Sequence, residues 1–309
     1  MQTSVANFGA SAVAGDSTGF KRGVAAVSAI LLGIIFLVSG GWKVLMPFQT
    51  GELLEQAQVH AGWGVLGASA LGTLELLAAF LLFAPKYRRL GGLLGSGLMI
   101  FFLGWIGYFY NVLVGHECSC FPIIKRTVGP GFFISDAVML LFALAALAWG
   151  PKVTSLKRPV MALLGLIVFA GLSFAANKIV RSNSHVPNPV VVDGKPADLR
   201  DGKVLLFFYD PECSHCDAAS KYMSTLTWTN ARIVAVPTHD PQFAADFLHD
   251  THLKASTSLE IDKLRKAFPF VDPPYGVVLV DGQVKETLNQ TQFNAPLPAP
   301  DLKKWGFVQ

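Results

Sequence analysis

Five stretches of the chain, residues 23–42, 62–84, 90–115, 129–149 and 160–177, are almost continuously apolar. At ~1.5 Å of rise per residue each is about long enough to cross a hydrocarbon core of ~30 Å as a helix. Short polar segments carrying Pro, Gly or charge separate them. The first stretch has no small-residue cleavage site behind a short apolar core, so it is expected to stay as a helix and not to be removed as a signal peptide. Five transmembrane helices are predicted.

After residue 181 the pattern changes. A polar, proline-bearing linker over 181–189 leads toward Val204-Leu-Leu-Phe-Phe-Tyr209, a short β-rich run bounded by Gly202 and Asp210 that predicts a fully buried strand. A helical pattern follows through Tyr222, Met223 and Leu226, then a second strand over 231–237 and a helical stretch through Phe243, Phe247 and Leu248. A helix over 259–268 and two strands, 277–280 and 284–288, joined by a turn at Asp281-Gly282, complete the pattern. Strands interleaved with helices and ending in a hairpin describe a small α/β layer. The expected organisation is an arm over 1–22, disordered over its first 20 residues. A four-helix membrane domain over 23–150, a fifth helix within 151–180, the linker, and an α/β domain over 190–309 follow. The proline-rich residues 294–300 are expected to be extended, with Trp305-Gly-Phe-Val308 docking back on that domain.

Composition sharpens this division. Hydrophobic types make up 52% of the 309 residues and charged types only 15%, against roughly 25% charged in an ordinary soluble protein. That excludes a disordered chain and a nucleic-acid binder driven by a basic face. Residues 1–180 carry 12 Lys+Arg and 6 Asp+Glu, while residues 181–309 carry 13 and 15, so the net charge of +4 divides unevenly between an apolar part and a part of soluble composition. The first part calls for a lipid bilayer. Lys21, Arg22, Lys86, Arg88, Arg89, Lys152, Lys157 and Arg158 all fall on one side of the five spans, and only Lys125 and Arg126 in the opposite connections. Positive charge retained inside then places the N-terminus in the cytoplasm of a bacterial inner membrane, and residues 115–130 and the α/β domain outside, in a periplasm or its equivalent.

Three charges stand within or at the ends of spans: Lys43, Glu75 and Asp136. A carboxylate in lipid costs at least ~2.5 kcal/mol on insertion scales, so it pairs or faces the bundle interior. The readings open for Glu75 are a tie between helices, with Lys43 as partner, a simply protonated carboxyl, or a proton or cofactor site inside the bundle.

The four cysteines form two pairs. Cys213-Ser-His-Cys216 follows the buried strand directly and opens a helical pattern. The thiolate and not the thiol attacks a disulfide, and unpaired N–H groups at a helix start stabilise it, which makes Cys213 the expected nucleophile. Cys216, one turn further, would resolve the mixed disulfide, and His215 would favour the Cys213 thiolate when protonated. A structural disulfide or half a zinc site are the other readings. Cys118 and Cys120, in His116-Glu-Cys-Ser-Cys-Phe-Pro122, fall in the outer connection. A disulfide across one intervening residue is tight and therefore easily reduced, so this is either a second redox pair or a metal-binding Cys-x-Cys with His116. His60, His239, His249 and His252 read as isolated surface residues.

A buried strand running into C-x-x-C, with Pro274 eight residues before Gly282, resembles the thioredoxin family over about residues 190–290. That resemblance implies that Pro274 is the family's cis-proline and packs against the cysteine pair. Glu212 stands where thioredoxins commonly carry Trp. In the membrane part, Ser39-Gly-Gly-Trp-Lys43 followed by Pro47, Leu74-Glu75-Leu76, and Cys118-Ser-Cys-Phe121 followed by Ser135-Asp136 resemble the DoxX-like proteins, and among them the methylamine-utilisation protein E (MauE) branch. Pro122 replaces the glycine common after that Phe. The resemblance implies a role in maturing disulfide-rich exported proteins, and relatives linked to quinone.

Together these features lead to a membrane-anchored thiol-disulfide oxidoreductase. Cys213 and Cys216 would exchange with thiols of exported proteins and be reset by Cys118 and Cys120. A linker of about a dozen residues would make that exchange effectively intramolecular. Quinone is the expected electron acceptor, near Lys125 and Arg126 or near Glu75. Fusions of the vitamin K epoxide reductase type have a similar layout, with two cysteine pairs in the membrane part where this chain has one. Delivery of a soft metal such as copper, and a non-catalytic assembly factor that holds a partner's cysteines, are the competing readings.

Overall fold

The computed structural model describes residues 11–60, 62–115, 126–182, 186–293 and 298–309. The chain divides into two compact units between Ala175 and Ala176.

The first unit is helical. Its elements are α1 (Ser11–Leu45), α2 (Pro47–Gln56), α3 (Gly64–Phe83), α4 (Arg88–Tyr108), α5 (Tyr110–Leu113), α6 (Pro130–Trp149) and α7 (Lys157–Ser182). Among the described residues, five helices are long and apolar enough to cross a membrane: 19–45, 64–83, 85–108, 130–149 and 157–181. The core gathers Ala29, Leu32 and Phe36 of α1, Ala78, Ala79 and Leu82 of α3, and Ala143 and Ala146 of α6. Small residues set the spacing, as expected where lipid gives no hydrophobic drive between helices. A Cβ on Gly40 would stand 2.8 Å from the Gly72 carbonyl oxygen, and one on Gly72 only 2.7 Å from the Lys43 Cβ. Backbones of α1 and α3 therefore touch where only glycine fits.

Two local features differ from expectation. The helix α1 starts at Ser11, so part of the expected arm continues the first span, with no proline after residue 10 to stop it before Pro47. Residues 47–61 are not a plain loop, because Pro47 at the first turn opens α2. The last helix, α7, is held near its far end, where Ser173 Oγ donates to the Val44 carbonyl at 2.6 Å and the Phe174 ring stacks on Phe48 at 5.5 Å. Its apolar window is only 11% buried, which in lipid leaves nothing exposed to water.

The second unit is a five-stranded mixed sheet with helices on both faces. Its elements are β1 (Val190–Val192), β2 (Lys195–Ala197), β3 (Lys203–Tyr209), α8 (Ser214–Ser224), β4 (Ala231–Pro237), α9 (Ala244–Thr251), β5 (Ser256–Thr257), α10 (Ile261–Ala267), β6 (Tyr275–Val280), β7 (Gln283–Leu288) and α11 (Ala299–Lys304). The strand order is β5-β4-β3-β6-β7, with β3, β4 and β5 parallel and β6 and β7 antiparallel to their neighbours. This is the thioredoxin-like arrangement. The central strand explains its own sequence: Leu205, Phe207 and Tyr209 enter the core shared with α8 and α9, while Val204, Leu206 and Phe208 enter the core under α10. A strand covered on both faces reads as a continuous apolar run and not as an alternation. Asp281 and Gly282, at φ of 50° and 73°, make the left-handed turn that closes the β6–β7 hairpin.

The helix α7 runs to Ser182, and Val186 is buried with Val190 and Leu199. At the C-terminal end Ala299 and Pro300 open α11 and are not extended, since proline is tolerated in a first helical turn. Phe307 is fully buried, Val308 bridges to Trp228, and Trp305 Nε1 donates to Glu286 at 2.6 Å, so this segment does dock.

Candidate functional site

The geometry around Cys213 follows from where β3 ends. The strand register places Tyr209 opposite Pro237 and Phe208 opposite Tyr275, so Asp210, Thr238 and Pro274 leave the sheet at one end. There the chain turns sharply. The Cys213 N–H donates to the Asp210 carbonyl at 3.1 Å, and the Glu212 N–H donates to the Asp210 carboxylate at 2.9 Å. Cys213 caps α8, whose first full turn closes when the Asp217 N–H donates to the Cys213 carbonyl at 3.0 Å. The cap places the Cys213 sulfur at the positive end of the helix.

The two thiols of C-x-x-C are unlike. Cys213 is half-buried, and its thiol is held down to about 6, first by the hydrogen bond that the Cys216 thiol donates. The N–H groups of Cys216 and His215 and the charge of the exposed His215 add to this, against partial burial, which acts the other way. Cys216 is fully buried among Tyr209, Phe207, Met223 and Phe247, and its thiol is pushed far up, first by that shared hydrogen bond and then by burial. The Asp210 N–H donates to Cys216 Sγ at 3.4 Å. At neutral pH the arrangement favours the thiolate on Cys213 and the proton on Cys216.

Further residues at this end were not singled out from the sequence. Tyr209 stacks on Phe247 at 4.4 Å, and its buried hydroxyl has no hydrogen-bond partner among the described residues. Burial, with Cys216 nearby, pushes that hydroxyl up to about 12. His239 is not isolated: its Nδ1 lies 3.5 Å from the Asp210 carboxylate, and Thr238 donates from both its N–H and its hydroxyl to the Tyr209 carbonyl. The usable signal is the equal length of the two apolar runs at 203–209 and 231–237. Counting past both ends of a parallel pair brings Asp210 and His239 together. Pro274 is buried at the start of β6, and the Pro273–Pro274 peptide is cis.

In the membrane unit, Glu75 belongs to a closed cluster. Lys43 Nζ donates to its two carboxylate oxygens at 3.1 and 2.9 Å, and Ser39 Oγ donates at 2.9 Å. Arg126 is engaged separately: it donates to Asp136 at 2.6 Å, to Ser135 Oγ and to the Phe132 carbonyl, with its guanidinium 4.5 Å over the Phe132 ring. Glu75 and Arg126 thus stand in different hydrogen-bonded groups. His116, Cys118, Cys120 and Lys125 lie outside the described residues. Among the described residues no three His, Cys, Asp or Glu side chains are grouped so as to hold a metal ion.

A bundle of membrane helices joined to a thioredoxin-like domain defines the class of protein. Residues 21–150 match the family described as Methylamine utilisation protein MauE, so the chain carries a MauE-type membrane domain ahead of the thioredoxin-like one. No curated protein matches the chain. Among solved structures it is similar to thioredoxin from Wuchereria bancrofti, at 18% identity and a TM-score of 0.30, covering 38% of this chain and 96% of that one. It is also similar to a putative thioredoxin from Neisseria meningitidis, at 21% identity and 0.27, covering 35% and 80%. A third similarity is to a thioredoxin-like protein from Bacteroides caccae, at 9% and 0.31, covering 79% and 85%. The fold assignment rests on the strand order given above.

Proposed function

We propose that the protein is a membrane-anchored thiol-disulfide oxidoreductase in which Cys213 and Cys216 exchange disulfides with exported proteins. One observation carries this: the Cys213 thiol, held down to about 6 at the start of α8, beside a buried Cys216 that retains its proton. The exchange balances in either direction. In the reducing sense the Cys213 thiolate attacks a substrate disulfide, forms a mixed disulfide and expels one substrate thiolate. Cys216 then loses its proton, attacks the Cys213 sulfur and releases the second, so two electrons leave the pair. The oxidising sense is the reverse, and it is the one we favour. No cysteine of this chain falls within a span, so no thiol path carries electrons across the bilayer.

In our reading the pair Cys118 and Cys120 accepts those two electrons on the same, extracytoplasmic side and passes them with two protons to a membrane quinone, giving quinol. The basic residues that flank the other ends of the spans support that orientation. Lys43 and Ser39 already occupy Glu75, and Asp136 occupies Arg126, which favours a structural part for both over a quinone contact.

The test is mass-shift alkylation of the intact protein as wild type, Cys118→Ser and Cys216→Ser, with and without quinone. Accumulation of a mixed disulfide between Cys213 and Cys118 or Cys120 in Cys216→Ser is the expected result, with reoxidation dependent on quinone in the wild type. If the two pairs never exchange and bound metal alone protects the thiols at 118 and 120, the protein is a metal carrier and the relay is wrong.

A further inference from the structure

Along its first half α7 stands away from the bundle and leaves a groove of about 480 Å³ against α3 and α4. Leu77, Leu81, Leu94, Leu98, Val160 and Leu163 are among its walls, which are aliphatic throughout. Its volume is that of a ligand site, ~300–1,000 Å³. From Leu90 to Leu98 on one wall, and from Leu156 to Leu163 on another, it runs ~10–12 Å at ~1.5 Å per residue, most of the depth of one leaflet of a ~30 Å core.

Four basic residues stand in sequence beside one end of this groove. Arg88 and Arg89 begin α4, and Lys157 and Arg158 begin α7, next to Leu90, Leu156 and Pro159 of the walls. The sequence holds no Asp or Glu between Glu75 and Glu117, nor between Asp136 and Asp193, so no acid lies close to these residues along the chain. Arg88 Nε is buried without an acceptor among the described residues. Both helices also present the positive ends of their dipoles here.

We propose that this end of the membrane unit binds an anionic phospholipid, with one acyl chain in the groove between α3, α4 and α7 and the phosphate against Arg88, Arg89, Lys157 and Arg158. A groove lined with leucine, valine, proline and glycine selects a hydrocarbon chain, and a cluster of cations selects a negative headgroup. A zwitterionic headgroup also brings a phosphate, but its own ammonium offsets that charge beside these four cations.

Gly97 gives a clean probe, because it lines the groove and a Cβ there meets nothing within 4 Å. Gly97→Leu fills the space with an aliphatic side chain and replaces a helix-weakening residue. The intact protein, purified in neutral detergent, is incubated with dioleoyl phosphatidylglycerol or dioleoyl phosphatidylcholine, and retained lipid is weighed by native mass spectrometry. Wild type is expected to retain phosphatidylglycerol about tenfold better, the size of one or two cation contacts. Arg88→Gln with Arg89→Gln should bring it to the phosphatidylcholine level, and Gly97→Leu should reduce retention of both lipids. Equal retention of the two lipids by wild type overturns the proposal, as does a Gly97→Leu protein that keeps wild-type retention.

Discussion

The main-chain N–H of Asp210 donates to Cys216 Sγ across 3.4 Å, while the carboxylate of the same residue accepts the Glu212 N–H at 2.9 Å. Asp210 thereby joins the end of the central strand to the turn before Cys213 and to the buried thiol behind it. Its negative charge is also one of the influences that raise the Cys216 thiol, although smaller than the hydrogen bond to Cys213 and burial. Asp210→Asn keeps an acceptor for Glu212 and removes the charge. The mixed disulfide on Cys213 should then resolve severalfold faster near neutral pH, as read by rapid quench of a trapped substrate, with the thermal midpoint unchanged. A slower resolution would show that the carboxylate helps Cys216 to lose its proton.

The asymmetry of the two thiols predicts a pH profile. Above about 6 Cys213 is a thiolate and reacts, and below it the rate of alkylation should fall about tenfold per unit. Because the Cys216 thiol is the largest influence holding Cys213 down, Cys216→Ala should move the midpoint up toward an ordinary cysteine. An unmoved midpoint would assign the effect to the helix start and His215 alone. Iodoacetamide kinetics of the reduced protein measure it.

Lys43 and Glu75, with side chains 4% and 9% exposed, form a buried pair whose halves are unequal in consequence. Lys43→Met leaves a carboxylate with only Ser39 as donor, and should cost about 3–5 kcal/mol. Adding Glu75→Leu should recover most of that loss, since exchanging a whole buried pair for apolar groups is often neutral. Thermal aggregation in detergent of the two single variants and the double variant gives the coupling. Equal losses that simply add would refute the pairing.

Gly40→Ala tests the close approach of α1 and α3. The new Cβ would stand 2.8 Å from the Gly72 carbonyl oxygen and 2.9 Å from the Glu75 Cβ, both on a packed helix. We expect a loss of about 1–3 kcal/mol by overpacking. Gly41→Ala, whose Cβ meets nothing within 4 Å, is the matched control and should be neutral or slightly stabilising. No loss in Gly40→Ala, or an equal change in both variants, would refute the close approach as the cause.

Much of this architecture was legible because lipid and a doubly covered strand both write long apolar runs. Residues such as Leu205 and Phe207 announce a buried strand without any partner being known, and the five spans announce themselves by length. Short elements do not. The helix α2 has only Pro47, Phe48, Leu53 and Leu54 to mark it, and β1, β2 and β5 are two or three residues set in polar sequence. Their existence depends on partners distant in the chain, such as the pairing of Val234 with Ser256. The same holds at the site. Cys213 and Cys216 are local in sequence, whereas His239 beside Asp210 exists only once β3 and β4 lie parallel in register.

The ion pair inside the bundle also bears on how the protein is made. Lys43 stands near the end of α1, within reach of the membrane interface, but Glu75 lies midway along α3 with no route out. A lone carboxylate at that depth works against release into lipid by at least ~2.5 kcal/mol. An insertion assay of α3 alone and of α3 preceded by α1 would show the difference, with the isolated helix held back and the pair released; equal release would dismiss the idea. On this account the two spans leave the translocation channel as partners, and the glycine seam that lets them touch is first a requirement of birth and only afterwards one of stability.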